Sequence, residues 1–130
     1  METKKIKVLL VEDDEVLMRL FERQFNMEEI PFLPAESGEK ALALLAGGER
    51  PDVILLDISL PDIDGFEVLR SIKANPETRH IPVVILSNFS RPSDIEWGKK
   101  LGAVRFVEKV SVTPSEITDL VREVLAENKK

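Results

Sequence analysis

Short apolar runs, each closed by a charged or hydroxyl residue, recur along the chain. Val8-Leu9-Leu10-Val11 stops at Glu12-Asp13-Asp14, Val53-Ile54-Leu55-Leu56 at Asp57, and Val83-Val84-Ile85-Leu86 at Ser87. A shorter run from Val104 to Val107 leads to Glu108 and Lys109. Apolar runs of this length between turn signals predict strands buried on both faces of a parallel sheet.

Between the runs the period changes to helical. The first strand, over 6–11, precedes a helix with Leu17, Leu20, Phe21 and Phe25 on one face and Asp14 as its N-cap. A second strand over 30–33 is interrupted by Pro31, which suits a sheet edge. Ser37-Gly38-Glu39 opens a second helix with Ala41, Leu42 and Leu45 on its apolar face, and Gly47-Gly48 ends it. The third strand, 53–57, runs into the loop 58–63. Asp64 and Glu67 have capping-box spacing, Phe66, Leu69 and Ile72 form one face of a third helix, and Asn75-Pro76 stops it. A fourth strand over 81–86, a fourth helix over 92–101 stopped by Gly102, and a fifth strand over 104–107 follow. Thr113-Pro114-Ser115-Glu116 is a complete helix start, and Ile117, Leu120, Val121, Val124 and Leu125 give the last helix a buried stripe.

This alternation predicts an α/β fold, (βα)5, with a doubly wound five-stranded parallel sheet. The fully apolar first, third and fourth strands belong in the centre and the weak second strand at an edge. Order 2-1-3-4-5, the flavodoxin-like order, satisfies both, with its crevice between the first and third strands. Asp13 and Asp57 would meet there. Ligands bind at the carboxyl ends of such strands, so one sheet edge gathers carboxylates, a hydroxyl and an ammonium. That set suits a divalent cation and a phosphoryl group.

Bulk composition narrows the classes further. A chain of 130 residues fits one domain. With no cysteine it has no disulfide, thiolate metal site or thiol nucleophile. No apolar stretch approaches the roughly 20 residues of a membrane span, and Met1 to Lys7 lacks a signal-peptide pattern. No membrane insertion and a cytoplasmic location are expected. The net charge of −6 argues against direct nucleic-acid binding, which needs a basic face, and Lys129-Lys130 is too short to be a basic arm. Three successive acids with Asp57 at a neighbouring strand end favour a metal site over helix caps alone. Asp14 reads as a cap, and Asp62 and Asp64 as turn and cap residues. His80 reads as a surface residue, Trp97 as partly buried, and Met18 and Met27 as packing residues.

At this point the chain resembles the receiver domain of two-component response regulators, the chemotaxis-regulator-like group. Val11-Glu12-Asp13 resembles the family's acidic pair. The stretch from Asp57 through Leu60, Pro61, Asp64 and Gly65 resembles its D-x-x-L-P-x-x-D-G segment, and Ile81 to Ser87 its fourth strand. Gly102-Ala103 with Phe106 and Lys109 resembles the end of the domain. The resemblance implies a single receiver domain over 1–130, with its core at 5–127 and no output domain, and Met1, close to the first strand, reads as a native N-terminus. It implies Asp57 as phosphoacceptor and Mg²⁺ held by Asp13, Asp57 and the Ser59 backbone carbonyl, with Glu12 acting through a water. Ser87 would donate to one phosphoryl oxygen and Lys109 would pair with another. Ser87 and Phe106 would form the switch, although Phe106 reads equally well as core. The donor would be a histidine kinase or phosphotransfer protein, and the output a downstream protein target. The chain would be a signalling phosphoacceptor, with no chemistry beyond its own phosphorylation and dephosphorylation.

Two positions depart from the family pattern, and a third bears on the phosphoryl pocket. Val110 replaces the usual Pro after the lysine, so either the Lys109–Val110 peptide is trans with a rearranged loop, or it is cis at a cost of about 2.5–4 kcal/mol. Asn88 stands where something smaller is usual, and Phe89 is expected to shield an acyl phosphate from water. The Val110 departure keeps a second class open, a phosphorylation-independent pseudo-receiver that acts as an interaction module. A third class fits poorly. A phosphohydrolase on this fold would want an Asp at position 59, and a flavin carrier would want a Ser/Thr/Gly-rich turn where Glu12-Asp13-Asp14 would repel phosphate.

Overall fold

The structure, a computed structural model, describes residues 6–88 and 91–128. Met1 to Lys5, Phe89-Ser90 and the Lys129-Lys130 pair lie outside the described residues. The chain folds as β1 (Val8–Val11), α1 (Glu15–Met27), β2 (Phe32–Ala35), α2 (Gly38–Ala46), β3 (Val53–Asp57) and α3 (Gly65–Ala74), then β4 (Val83–Ser87), α4 (Pro92–Leu101), β5 (Arg105–Glu108), a 3-10 turn (Lys109–Ser111) and α5 (Pro114–Asn128). All four strand pairings are parallel, in the order β2-β1-β3-β4-β5, as the apolar runs require.

Alternation along the central strands divides the interior into two cores. Val8, Leu10, Val53, Leu55, Val84 and Leu86 face α1 and α5, meeting Phe21, Phe25, Ile117, Val121 and Val124. Leu9, Val11, Ile54, Leu56, Val83 and Ile85 face the other way, meeting Ala41, Leu45, Val68, Leu69 and Ile72 of α2 and α3. Burial on both sides explains why these strands are uniformly apolar rather than alternating.

Several boundaries differ from the sequence expectation for identifiable reasons. β1 starts at Val8 rather than residue 6, because the Lys7 amide donates to the Asp52 carboxylate at 2.8 Å. β2 lies over Phe32–Ala35 rather than 30–33, because Ile30 N–H donates back to Phe25 O at 2.8 Å and belongs to the end of α1. Pro34 stands inside β2, tolerable on an edge strand that needs fewer donors. β4 and β5 both reach one residue further toward the site, so Ser87 and Glu108 pair in register as strand residues.

The helix faces need smaller corrections. Phe21 and Phe25 are buried, but Leu20 is 47% exposed, turned off the buried stripe by one helical step. Met27 is 69% exposed and does not pack. Leu42, Phe66 and Leu120 are half-buried rather than core. The start of α5 is a complete capping box, with Thr113 N–H donating to Glu116 Oε1 at 2.9 Å and Glu116 N–H to Thr113 Oγ1 at 3.2 Å. No described helix is long and apolar enough to cross a membrane.

Candidate functional site

The turn after β1 gives its three acids three different environments. Glu12 is buried, its backbone tied to Ala35 O at 2.9 Å, and its Oε2 accepts the Asp14 amide at 3.0 Å. Asp13 is exposed. Asp14 turns away and caps α1, with Oδ1 accepting from the Val16 and Leu17 amides at 2.9 and 3.1 Å. The cap reading of Asp14 therefore holds.

Asp57 ends β3 and is 2% exposed. Its Oδ1 accepts the Ser59 amide at 2.9 Å and its Oδ2 accepts from Lys109 Nζ at 2.8 Å. Lys109 Nζ also donates to Glu12 Oε1 at 2.7 Å. Carboxylate oxygens of Glu12, Asp13 and Asp57 lie within 4.8 Å of one another. The cluster sets three carboxylates (−3) against one ammonium (+1), a formal charge of −2. Further positive charge would relieve that crowding, and hard oxygen donors are what a small divalent cation selects. Burial, foremost, pushes the Glu12 carboxyl above its usual range, with the Asp57 charge adding to it, while the bonds from Lys109 and Asp14 hold it back. Burial would lower the Lys109 ammonium, but its hydrogen bonds to Asp57 and Glu12 outweigh that and hold it above the usual lysine value.

The segment after Lys109 resolves the alternative left by Val110. Every described peptide bond is trans, that after Lys109 included. The chain enters a 3-10 turn, Lys109–Ser111, that leaves Val110 77% exposed. Lys109 still points inward, its side chain 8% exposed.

Ser87 is buried at the end of β4 and lines a cavity of about 510 Å³ with Ile58, Ser59, Asp64, Phe66, Arg91 and Asp94. Phe106 on β5 is half-buried and joins the core beneath α2, α3 and α4. Its ring packs where α4 lacks a side chain: a Cβ on Gly98 would stand 3.4 Å from Phe106 Cδ2. Asn88 is exposed, and Phe89 lies outside the described residues. His80 is exposed, as read, and Trp97 is 42% exposed with the Arg70 guanidinium 6.0 Å from its ring.

The β3–α3 loop is held by backbone contacts as well as by Ile58, Leu60 and Ile63, which pack on the core. Gly65 N–H donates to Ile58 O at 3.1 Å, and a Cβ on Gly65 would lie 2.3 Å from Ile58 Cα and 2.6 Å from Asp57 O, so only glycine fits. Asp64 caps α3 through the Phe66 amide at 2.8 Å. Asp62, read as a turn acid, reaches beyond its own turn to α2: its carboxylate accepts the Gly38 and Glu39 amides at 3.1 and 2.8 Å. No local spacing could reveal a partner so far back along the chain. Arg91 and Asp94, paired at 3.2 Å at the cavity mouth, were likewise not legible as neighbours of Ser87.

Known proteins resemble this chain in sequence and fold. Residues 8–122 match the response regulator receiver domain. The polar-differentiation response regulator DivK of Brucella anthropi is 36% identical over 107 residues, which cover 82% of this chain and 86% of DivK. The response regulator PleD of Caulobacter vibrioides is 40% identical over 103 residues, 79% of this chain but only 22% of PleD. The crystal structure of the phosphorylated cyanobacterial phytochrome response regulator RcpA superposes with a TM-score of 0.80 at 32% identity, covering 93% of this chain and 91% of RcpA.

Proposed function

The chain belongs to the response regulator receiver family, and from that premise we propose that it accepts a phosphoryl group on Asp57 and thereby switches its binding to a protein target. The observation that carries this reading is the setting of Asp57: buried at a strand end, held by Lys109 Nζ at 2.8 Å and the Ser59 amide at 2.9 Å, with Glu12 and Asp13 beside it. RcpA, of the same fold, is described in its phosphorylated form, which supports it further.

The donor is the phosphohistidine of a histidine kinase or phosphotransfer protein. An Asp57 carboxylate oxygen forms the new O–P bond as the donor's N–P bond breaks, and the departing imidazole keeps the electron pair and takes a proton. Asp13, Asp57 and the Ser59 carbonyl would hold Mg²⁺, with Glu12 reaching it through water; the oxygen-only donor set and its surplus negative charge fit that ion. When bound, the cation supplies the positive charge that lets an anionic nucleophile meet an anionic donor. Lys109, already in contact with Asp57, offers its ammonium to a phosphoryl oxygen, and Ser87 donates its hydroxyl to another. Movement of Ser87 toward the phosphoryl group opens space into which the Phe106 ring turns, which changes the α4 and β5 surface. The chain is then one receiver unit working as a cytoplasmic phosphoacceptor, with no turnover of an external substrate. The pseudo-receiver alternative rested on Val110, and its weight falls because Lys109 keeps its contact with Asp57.

The test is incubation with Mg²⁺ and acetyl phosphate, read by intact mass. Wild type is expected to gain the mass of one HPO₃ unit, and Asp57→Asn or wild type in EDTA none. If wild type gains no adduct and forms no beryllofluoride complex with Mg²⁺, the phosphoswitch is wrong and the chain is an interaction module.

A further inference from the structure

The β3–α3 loop carries Ser59, yet Ser59, Pro61, Asp62 and Asp64 are all exposed. Ile58, Leu60 and Ile63 of this loop pack on the core beneath α2 and α3, but apolar packing is non-directional, so the direction of the Ser59 carbonyl also depends on hydrogen bonds. Two restraints are local: Ser59 N–H on Asp57 Oδ1, and Gly65 N–H on Ile58 O. The third leaves the loop. Asp62 Oδ1 accepts from Gly38 N–H at 3.1 Å and Oδ2 from Glu39 N–H at 2.8 Å, so one carboxylate takes the first two amides of α2. Leu60 and Ile63 close over the same point, and a Cβ on Gly38 would stand 3.2 Å from Ile63 Cγ1 and 3.4 Å from Leu60 Cδ1.

α2 has an N-cap of its own in Ser37, in addition to Asp62. Ser37 Oγ already accepts the Lys40 amide at 3.1 Å. A charged carboxylate with both oxygens engaged is a strong, directional tie. Asp62 belongs to the loop, between Leu60 and Ile63, which pack on Gly38, so its carboxylate ties down the loop as well as the helix start.

We propose that Asp62 is a positioning residue: by fastening the β3–α3 loop to the Gly38 and Glu39 amides, it holds the Ser59 carbonyl in place for the divalent cation at Asp57. This rests on the phosphoacceptor reading above. It deepens that reading by naming a loop residue, fastened to the start of α2, that sets cation affinity. Outer partners of metal ligands commonly change affinity about 10–100-fold when removed, and Asp62 acts one step further out, so a loss of about three- to tenfold is expected.

The experiment is calorimetric titration of Mg²⁺ alone into wild type, Asp62→Ala, Asp62→Asn and Ser37→Ala, at low and high KCl, with amide exchange at Ser59, Gly38 and Glu39. Asp62→Ala should bind Mg²⁺ three- to tenfold more weakly at both salt concentrations and exchange faster at all three amides. Its phosphorylation rate at saturating Mg²⁺ should stay near wild type. Asp62→Asn, with one carbonyl oxygen left to accept, should fall between. Ser37→Ala should loosen α2 and leave Mg²⁺ affinity unchanged. The proposal is overturned if Asp62→Ala binds Mg²⁺ as wild type does, if its loss vanishes at high KCl (a long-range charge effect), or if Ser37→Ala loses as much. Wild type that takes neither Mg²⁺ nor phosphoryl group would overturn the functional reading, and this one with it. A normal wild type beside an unaffected Asp62→Ala would overturn this one alone.

Discussion

Lys109 Nζ stands 2.8 Å from Asp57 Oδ2, joining residues 52 positions apart, with both side chains almost wholly out of solvent. The same ammonium holds Glu12 at 2.7 Å, so one cation restrains two buried acids that would otherwise repel each other.

Removing that cation should be costly in the metal-free protein. Lys109→Ala leaves two buried carboxylates facing each other, and a loss of about 3–5 kcal/mol is expected from the usual cost of breaking a buried pair. Urea unfolding in EDTA and in excess Mg²⁺ measures it, and Mg²⁺ should recover a large part of the loss. Because the folded Lys109 pKa is raised, its contribution is complete below pH 10.5 and lost as pH climbs through the higher folded value. An equal loss with and without Mg²⁺ would mean that the acids do not share a cation site.

Gly65→Ala should be among the most damaging single-methyl changes in the molecule. The new Cβ would press on Ile58 Cα and Asp57 O, backbone atoms that cannot swing aside. A destabilisation of about 3 kcal/mol is expected in thermal or urea unfolding, with slower phosphorylation because Asp57 itself must shift.

The seam between α1 and α5 should set part of the acid limb of stability. Glu28 accepts from Thr118 Oγ1 at 2.6 Å and pairs with Arg122 Nη1 at 2.6 Å, and Gln24 also bonds it. The Thr118 bond, foremost, lowers its pKa, so its stabilisation is complete above pH 4.5 and is lost as pH falls through the lower folded value. Thr118→Val should cost about 1 kcal/mol at neutral pH and make stability fall less between there and acid. Unfolding measured across that range, with an NMR titration of Glu28, tests both.

Trp97 is the single tryptophan and stands on α4 next to Gly98, against which Phe106 packs. Beryllofluoride with Mg²⁺ should therefore shift its emission in wild type. In Ser87→Ala the shift should shrink, and in Asp57→Asn it should be absent. An unchanged spectrum in a wild-type protein shown by mass to be phosphorylated would separate the phosphoacceptor from the proposed Phe106 movement.

Much of this arrangement was legible because it is local or periodic. Uniformly apolar runs mark strands covered on both faces, Asp14, Asp64 and Thr113 announce helix starts, and a Pro-bearing run belongs at an edge. From these the strand order followed, and with it the meeting of Glu12, Asp13 and Asp57, since strand ends in a parallel sheet point one way.

What the sequence could not determine are relations whose partners are distant along the chain or whose outcome depends on backbone path. The trans turn after Lys109 keeps the ammonium on Asp57, although Val110 left that open. Leu20 and Met27 share the chemistry of core residues but face outward, because a helix buries only the arc its neighbours cover. Asp62 reads as an ordinary turn acid, and only the packing of the β3–α3 loop against Gly38 joins it to α2. Local propensity and periodicity are written in neighbouring residues, whereas the choice of a distant hydrogen-bond partner is made by the assembled sheet and its helices.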